Sequence, residues 1–209
     1  MPTALVANGE FLATPSLIQR IRSFNRLIAV DGGLNYCHRF NLTPEKIIGD
    51  FDSVDPSILT FFPTTPKKIY SKDKDQTDLQ IALEEVLKEE NEVVIFAALG
   101  GRIDHTLSNV NLLSRYPGKV SIETEKQRLF VIDRSVILSC FLQQTISLFP
   151  LNGPVKDIVT SGLKWELNHA TLDKHFIGIS NIALKEEVFI SVKEGDLLCC
   201  LFSSIEGPF

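Results

Sequence analysis

The stretch that decides the fold is KIIGDFDSVDP, Lys46 to Pro56. Ile47 and Ile48 close a short apolar run that reads as the end of a buried strand. Gly49, Asp50, Phe51, Asp52 and Ser53 follow at once, with Asp55 just beyond. Neighbouring carboxylates repel one another unless a cation or a proton relieves them. A strand that leaves the core directly into glycine and acid therefore predicts a ligand-binding edge. In open parallel sheets that edge is the one at the carboxyl ends of the strands.

The same pattern recurs on either side. Ala4–Ala7, Leu27–Val30, Lys46–Ile48, Lys68–Tyr70, Val93–Ala98, Val120–Ile122 and Leu129–Ile132 are short apolar runs separated mostly by helix-like segments. Strands alternating with helices imply parallel pairing with helices on the sheet faces. The clearest helix is TDLQIALEEVLKEE. Its Leu79, Ala82, Leu83, Val86 and Leu87 share one face, Thr77 is its N-cap and Gln80 its expected capping-box partner. A second helix is expected from about Asp104, carrying Leu107, Val110 and Leu113 on one face. After about residue 135 the texture changes to β-rich runs at short intervals, SVILSCF, TISLFPL, DIVTSGLKWEL, GISNIAL and EVFISVKEGDLLCCLF. The reading is an α/β domain with a parallel Rossmann-like sheet and flanking helices, residues 1–134. A small antiparallel β-sandwich, residues 135–209, follows it.

Composition excludes several classes. The chain has 209 residues, 44% hydrophobic and 22% charged, which is the balance of a globular protein. With 21 basic and 26 acidic residues the net charge is −5, and no basic stripe with interleaved aromatics occurs, so a nucleic-acid partner is not expected. Cys37, Cys140, Cys199 and Cys200 have no metal-binding spacing and read as small core residues of a reducing compartment. No window predicts a membrane span and no leader is apparent at the amino end, so the expected location is cytoplasmic. A P-loop, a G-x-G-x-x-G fingerprint and a kinase catalytic loop are all missing.

Aligning the strand ends gathers the candidate site. Asp31-Gly32-Gly33 follows one strand and Asp50 to Ser53 the next. SKDKDQTD leads from Tyr70 to Asp78, and Gly100-Gly101-Arg102-Ile103-Asp104-His105 follows Leu99. Taken singly, Asp78 and Asp104 read as helix-capping residues, and Asp31-Gly32 as a turn. Taken together, four strand ends carry acid beside glycine, arginine or another acid. Mg²⁺ takes hard oxygen ligands, one or two carboxylates with phosphate oxygens and water. Glycines admit backbone N–H groups close to an anion, while Arg102, Lys72 or Lys74 supply positive charge.

Four segments, VDGGLNYC, IIGDFDSVD, KDQTDLQIAL and LGGRIDHTLSNVNLL, resemble in order and spacing those of the thiamine pyrophosphokinases. SGLKWEL and a later GISN are similar to that family's carboxyl-terminal signature. The resemblance implies transfer of pyrophosphate from ATP to the hydroxyl of thiamine by a homodimer with sites at the subunit interface. By motif, Asp50, Asp52 and Asp78 would hold Mg²⁺. Asp31, Gly32, Gly33, Asn35, Arg102, Asp104 and His105 would lie near the nucleotide, and Lys74, Asp75 and Thr77 near the transferred phosphates. Ser180 and Asn181 would contact thiamine, with Trp165 offering an aromatic face to its cation. No general base stands out: Asp78 and Asp52 are within the same motifs, and holding the metal would make either a poor base. Ile182-Ala183-Leu184 and Glu166 depart from the pattern, Glu166 standing where proline is common. Two rivals remain on sequence alone: a pyrophosphokinase for another small alcohol such as a hydroxymethyl pterin, and a non-catalytic nucleotide or thiamine sensor.

Overall fold

The computed structural model describes residues 2–203, so the outermost residues of the two expected domains lie outside the described residues. Contacts divide the chain into two compact units, residues 1–109 with 122–125, and residues 110–121 with 126–209.

The first unit is built on five parallel strands in the order β4-β3-β2-β1-β5. They are β1 (Thr3–Val6), β2 (Arg26–Val30), β3 (Lys46–Gly49), β4 (Lys67–Ile69) and β5 (Val93–Phe96). Ala4 of β1 is level with Leu27 of β2 on one side and Val94 of β5 on the other. The chain walks outward from β1 to β4 and then returns to pair β5 on the free side of β1. That reversal opens a crevice above β1. Strands buried on both faces read as continuous apolar runs, and all four residues of β1 and of β5 are buried.

The helices α1 (Pro15–Arg22), α2 (Gly33–Arg39), α3 (Asp78–Val86) and α4 (Ile103–Leu112) fill the crossovers. Thr14 caps α1, accepting from the Leu17 N–H at 3.3 Å, with Pro15 opening the helix. Thr77 caps α3 by accepting from the Gln80 N–H at 3.2 Å. The reciprocal capping-box bond is not formed, because the Gln80 amide instead donates to Glu84 Oε1 at 3.1 Å, one turn on. Leu79, Ala82, Leu83 and Val86 of α3 are buried as their spacing predicts. Along α4 the pattern is not fulfilled in this way: Leu107 is 63% exposed, and the buried Leu113 lies in the 3-10 turn just past the helix end. Periodicity says which residues share a face, and not whether that face is covered.

A short strand, β6 (Val120–Glu123), carries the chain into the second unit. That unit is antiparallel, with β7 (Gln127–Ile132), β8 (Ser135–Ser139), β9 (Thr145–Ser161), β10 (Ala170–Leu172), β11 (Gly178–Ile182), β12 (Glu187–Ser191) and β13 (Glu194–Phe202). Its main path runs β7-β13-β9-β12-β8, and β10 and β11 also pair with β9. The 17-residue β9 is the organiser. Its first part pairs with β13 and β11 and its last part with β12. It bends at left-handed Asn152 (φ 62°), where its register with β13 shifts, and at left-handed Asp157 (φ 55°), between its β13 and β12 ladders. Ile146, Leu148, Val155, Ile158, Leu172 and Ile190 meet in the core that these bends enclose.

Candidate active site at the strand ends

The first unit's site is built from strand ends and from the helices that follow them. At the end of β2, Asp31 takes a left-handed backbone (φ 46°) and its N–H donates to the Ile48 carbonyl of β3 at 2.8 Å. The side chain is thereby buried, and Oδ1 has no hydrogen-bond partner. Gly33 begins α2 against β1 so closely that a Cβ there would lie 1.9 Å from the Val6 carbonyl oxygen. Gly32 likewise meets the Asn8 side chain. Both glycines of the DGG turn thus let α2 start directly over the sheet.

At the end of β3, Gly49 passes close to Asp31; a Cβ would sit 2.9 Å from Asp31 Cβ. Phe51 is left-handed (φ 65°) and packs against the core. The turn keeps the two acids adjacent, the Asp52 N–H donating to Asp50 Oδ1 at 3.2 Å. Asp50 shares the interior with Asp31 and Asp78, the three able to bring one carboxylate oxygen each within 4.8 Å of one another. Asp52 stands outside that group, with Oδ2 3.5 Å from Lys72 Nζ and its Oδ1 accepting from Ser53 Oγ. The carboxylates brought together are therefore Asp31, Asp50 and Asp78.

One lysine offsets part of the charge of the three. Lys74 Nζ lies 2.8 Å from Asp50 Oδ2 and 3.2 Å from Asp78 Oδ1. The Lys74 hydrogen bond holds the Asp50 carboxyl below its usual range. Burial, by contrast, raises Asp78, outweighing its own contact with Lys74. Burial also disfavours the Lys74 charge, yet its bonds to Asp50 and Asp78 prevail and its pKa is raised. Three half-buried or buried carboxylates, one with an orphan oxygen, form a hard-oxygen donor set of the kind a divalent cation takes.

Beside this cluster opens a pocket of about 510 Å³. Of the residues singled out from the sequence, Asp31, Thr77, Asp78, Arg102 and His105 line it. Asn8, Gly9, Glu10, Tyr36 and Asn109 line it too and were not anticipated. Their signal is weak, because the residues after β1 are placed by backbone pairing with the residues after β5. The Gly9 N–H donates to the Ala97 carbonyl at 2.6 Å and the Glu10 N–H to the Leu99 carbonyl at 2.8 Å. Glu10 Oε1 accepts from the Gly101 N–H at 3.0 Å, and the Tyr36 hydroxyl donates to the Gly9 carbonyl at 2.7 Å. Ala97, at the end of β5, is a third left-handed residue (φ 53°), and Asn109 holds the adjoining Ala98 carbonyl at 2.8 Å.

The remaining expected residues sit at the rim. Asn35 does not line the pocket; it staples the acid turn, donating to the Ser53 carbonyl at 2.9 Å and accepting from the Asp55 N–H at 3.1 Å. Arg102 pairs with Asp104, whose carboxyl that contact holds down to about 2. Asp75 is exposed on the loop before α3.

In the second unit, Trp165 is 55% exposed in the loop after β9, with Lys164 Nζ 4.6 Å from its ring centroid. Ser180 on β11 is exposed and left-handed (φ 56°), and its N–H donates to Ser147 Oγ. Asn181 is buried at 6% exposure and turns inward.

Fold and site together define a two-part protein. A parallel α/β unit gathers acids and glycine turns at its switch point, and an antiparallel β unit with an outward tryptophan follows. Residues 18–124 match the family described as thiamin pyrophosphokinase, catalytic domain, and residues 130–197 the thiamin pyrophosphokinase, vitamin B1 binding domain. The chain belongs to the thiamin pyrophosphokinase family. It is similar to thiamine pyrophosphokinase 3 of Oryza sativa subsp. japonica, 28% identical over 172 residues that cover 74% of this chain and 64% of the rice protein. The chain thus spans just under two thirds of that relative's length. Thiamine pyrophosphokinase of Bacillus subtilis is 28% identical over 211 residues, covering 93% of this chain and 95% of the relative. The crystal structure of the Bacillus subtilis protein superposes with a TM-score of 0.86 at 24% identity, over 97% of this chain and 99% of that one. The structure of yeast thiamin pyrophosphokinase gives a TM-score of 0.84 at 14% identity, over 96% of this chain and 86% of that one. Among the described residues no helix is long and apolar enough to cross a membrane.

Proposed function

We propose that the chain transfers pyrophosphate from ATP to the hydroxyl of thiamine, giving thiamine diphosphate and AMP, in the cytoplasm and as a homodimer. The proposal divides the labour between residues 1–134, for ATP and Mg²⁺, and residues 135–209, for thiamine. The observation that carries it is the cluster of Asp31, Asp50 and Asp78 at the mouth of a pocket above the sheet's switch point, within a chain matching both family domains in order.

Asp31, Asp50 and Asp78 are the residues that would hold the ion. When bound, Mg²⁺ would supply positive charge to the phosphate oxygens as negative charge shifts onto the departing group. The chain's own groups do the rest. Arg102 and His105, on the pocket wall, offer donors to the nucleotide's phosphates. Lys74, beside Asp50 and Asp78, would offer the phosphates a point charge. The thiamine oxygen forms a bond to the β-phosphorus. The bond from that phosphorus to the α,β-bridging oxygen breaks, and AMP departs with the electron pair. The hydroxyl proton needs an acceptor outside the ion's ligands. The sequence reading puts Asp52 among those ligands; its place outside the cluster makes it the carboxylate assigned here to take the proton.

Incubation with ATP, Mg²⁺ and thiamine tests the reading: AMP should appear in step with thiamine diphosphate, and only when thiamine is present. ADP in place of AMP would overturn pyrophosphate transfer. AMP formed with a hydroxymethyl pterin and not with thiamine would transfer the reading to that rival substrate. Nucleotide binding with no turnover would leave a sensor.

A further inference from the structure

The sequence reading sets Asn181 against the ligand. Its side chain is otherwise engaged. Oδ1 accepts from the Trp165 N–H at 3.1 Å, and Nδ2 donates to the Trp165 carbonyl at 2.7 Å. Oδ1 accepts a second bond, from its neighbour Ile182 N–H, at 2.9 Å. One buried amide therefore satisfies both backbone groups of the residue whose ring is turned outward. We propose that Asn181 is a positioning residue: it fixes the main chain of Trp165 so that the indole stands ready for a cationic aromatic ligand. This rests on the reading of the second unit as the thiamine-binding part.

The rest of the loop is built to the same end. The Lys164 N–H donates to the Ile182 carbonyl at 2.8 Å, the Leu184 N–H to the Gly162 carbonyl at 2.8 Å, and Leu163 bridges Ala183. Glu166 closes the turn from its other end, with Oε1 accepting from the Gly162 N–H at 2.8 Å. That bond gives a use to the residue standing where proline is common. A loop normally costs conformational entropy when it binds; one already clamped has that cost removed beforehand. The Lys164 ammonium over the ring shows that this indole face accepts positive charge, and a ligand cation would take that face in its place or stack on the opposite one.

Trp165 is the chain's one tryptophan, so intrinsic fluorescence reports on this loop alone. In ligand-free protein, Asn181→Ala should lower the tryptophan anisotropy and raise its quenching by acrylamide about twofold. The KM for thiamine should rise about tenfold, corresponding to ~1.4 kcal/mol, and the KM for ATP should stay as it is. In a double-mutant cycle with Trp165→Ala, the second change should add little to the first, because both remove one device. Unchanged fluorescence in Asn181→Ala, or additive losses in the cycle, would overturn the proposal and return Asn181 to direct contact. If Asn181→Ala does not fold by circular dichroism, Asn181→Ser supplies the same readouts. The fluorescence arm needs no ligand. A wild-type protein whose tryptophan signal ignores thiamine would count against the proposed function, while the Asn181 to Trp165 coupling would still be read from the unliganded measurements.

Discussion

The two acids of the GDFDS turn differ by one residue of separation and are assigned different work. Asp50 belongs to the group with Asp31 and Asp78, while Asp52, bonded to Asp50 through its N–H, has its carboxylate 3.5 Å from Lys72. Their asparagine variants should separate accordingly. Asp50→Asn should weaken Mn²⁺ binding, measured by titration calorimetry in the presence of a non-hydrolysable ATP analogue, and lower kcat/KM by a factor on the order of a hundred or more. Asp52→Asn should lower kcat by a similar factor with Mn²⁺ affinity kept within about threefold, since a proton acceptor typically contributes 10²–10⁴-fold. Equal loss of ion affinity in both variants would place Asp52 among the ligands, as motif spacing alone suggests. Spacing could not make this distinction, because it lies in which charged groups the fold brings to each carboxylate. Asp31 could not be ranked as a ligand for a similar reason: the sequence shows it as half of a turn, and only the pairing of β2 with β3 brings it to Asp50.

At the scale of elements, α3 is tied to the sheet by one carboxylate. Glu85 pairs with Lys46 of β3 and Lys68 of β4, and accepts from the Tyr70 hydroxyl at 3.1 Å. Burial pushes the Glu85 carboxyl upward, but its bonds to Lys46, Lys68 and Tyr70 prevail and hold it at about 2, against an ordinary 4.5. Because the folded value is the lower one, the stabilisation is fully present above pH 4.5 and is lost as pH falls toward 2. Glu85→Gln should cost about 2 kcal/mol in urea unfolding at pH 7, and the gap between variant and parent should narrow by pH 3. A gap that keeps its size at pH 3 would remove the ion-pair account. Much of this scale was legible in the chain. The strand ends, the Thr77 cap and the buried face of α3 rest on local chemistry, and local chemistry is what a sequence displays. The Gln80 side chain and the exposure of Leu107 were not legible, since each depends on which partner a surface meets. The bonds of Asn181 to Trp165 were not legible either: its place beside Ser180 is visible, but the loop it bonds to lies 16 residues away.

For the molecule as a whole, the proposed homodimer with shared sites makes a prediction about mixtures. At thiamine well below its KM, subunits carrying Asp50→Asn should be nearly inactive alone and subunits carrying Trp165→Ala about tenfold slower than the parent. Refolded together, they should regain up to about a quarter of the parental rate, since half of random dimers are mixed and each has one intact site. Mixed dimers that are present by mass and remain silent would place each site within one subunit. A different consequence belongs to the backbone itself. Asp31, Phe51 and Ala97 all hold left-handed conformations at the ends of strands in one sheet. Each such residue costs on the order of 1 kcal/mol. Glycine at those points would ease the chain and slacken the edge. A laboratory lineage bred only to survive heat, with nothing to catalyse, should therefore rewrite Asp31 and Ala97 early, growing sturdier as it forgets its trade, while Phe51 keeps its ring against the core.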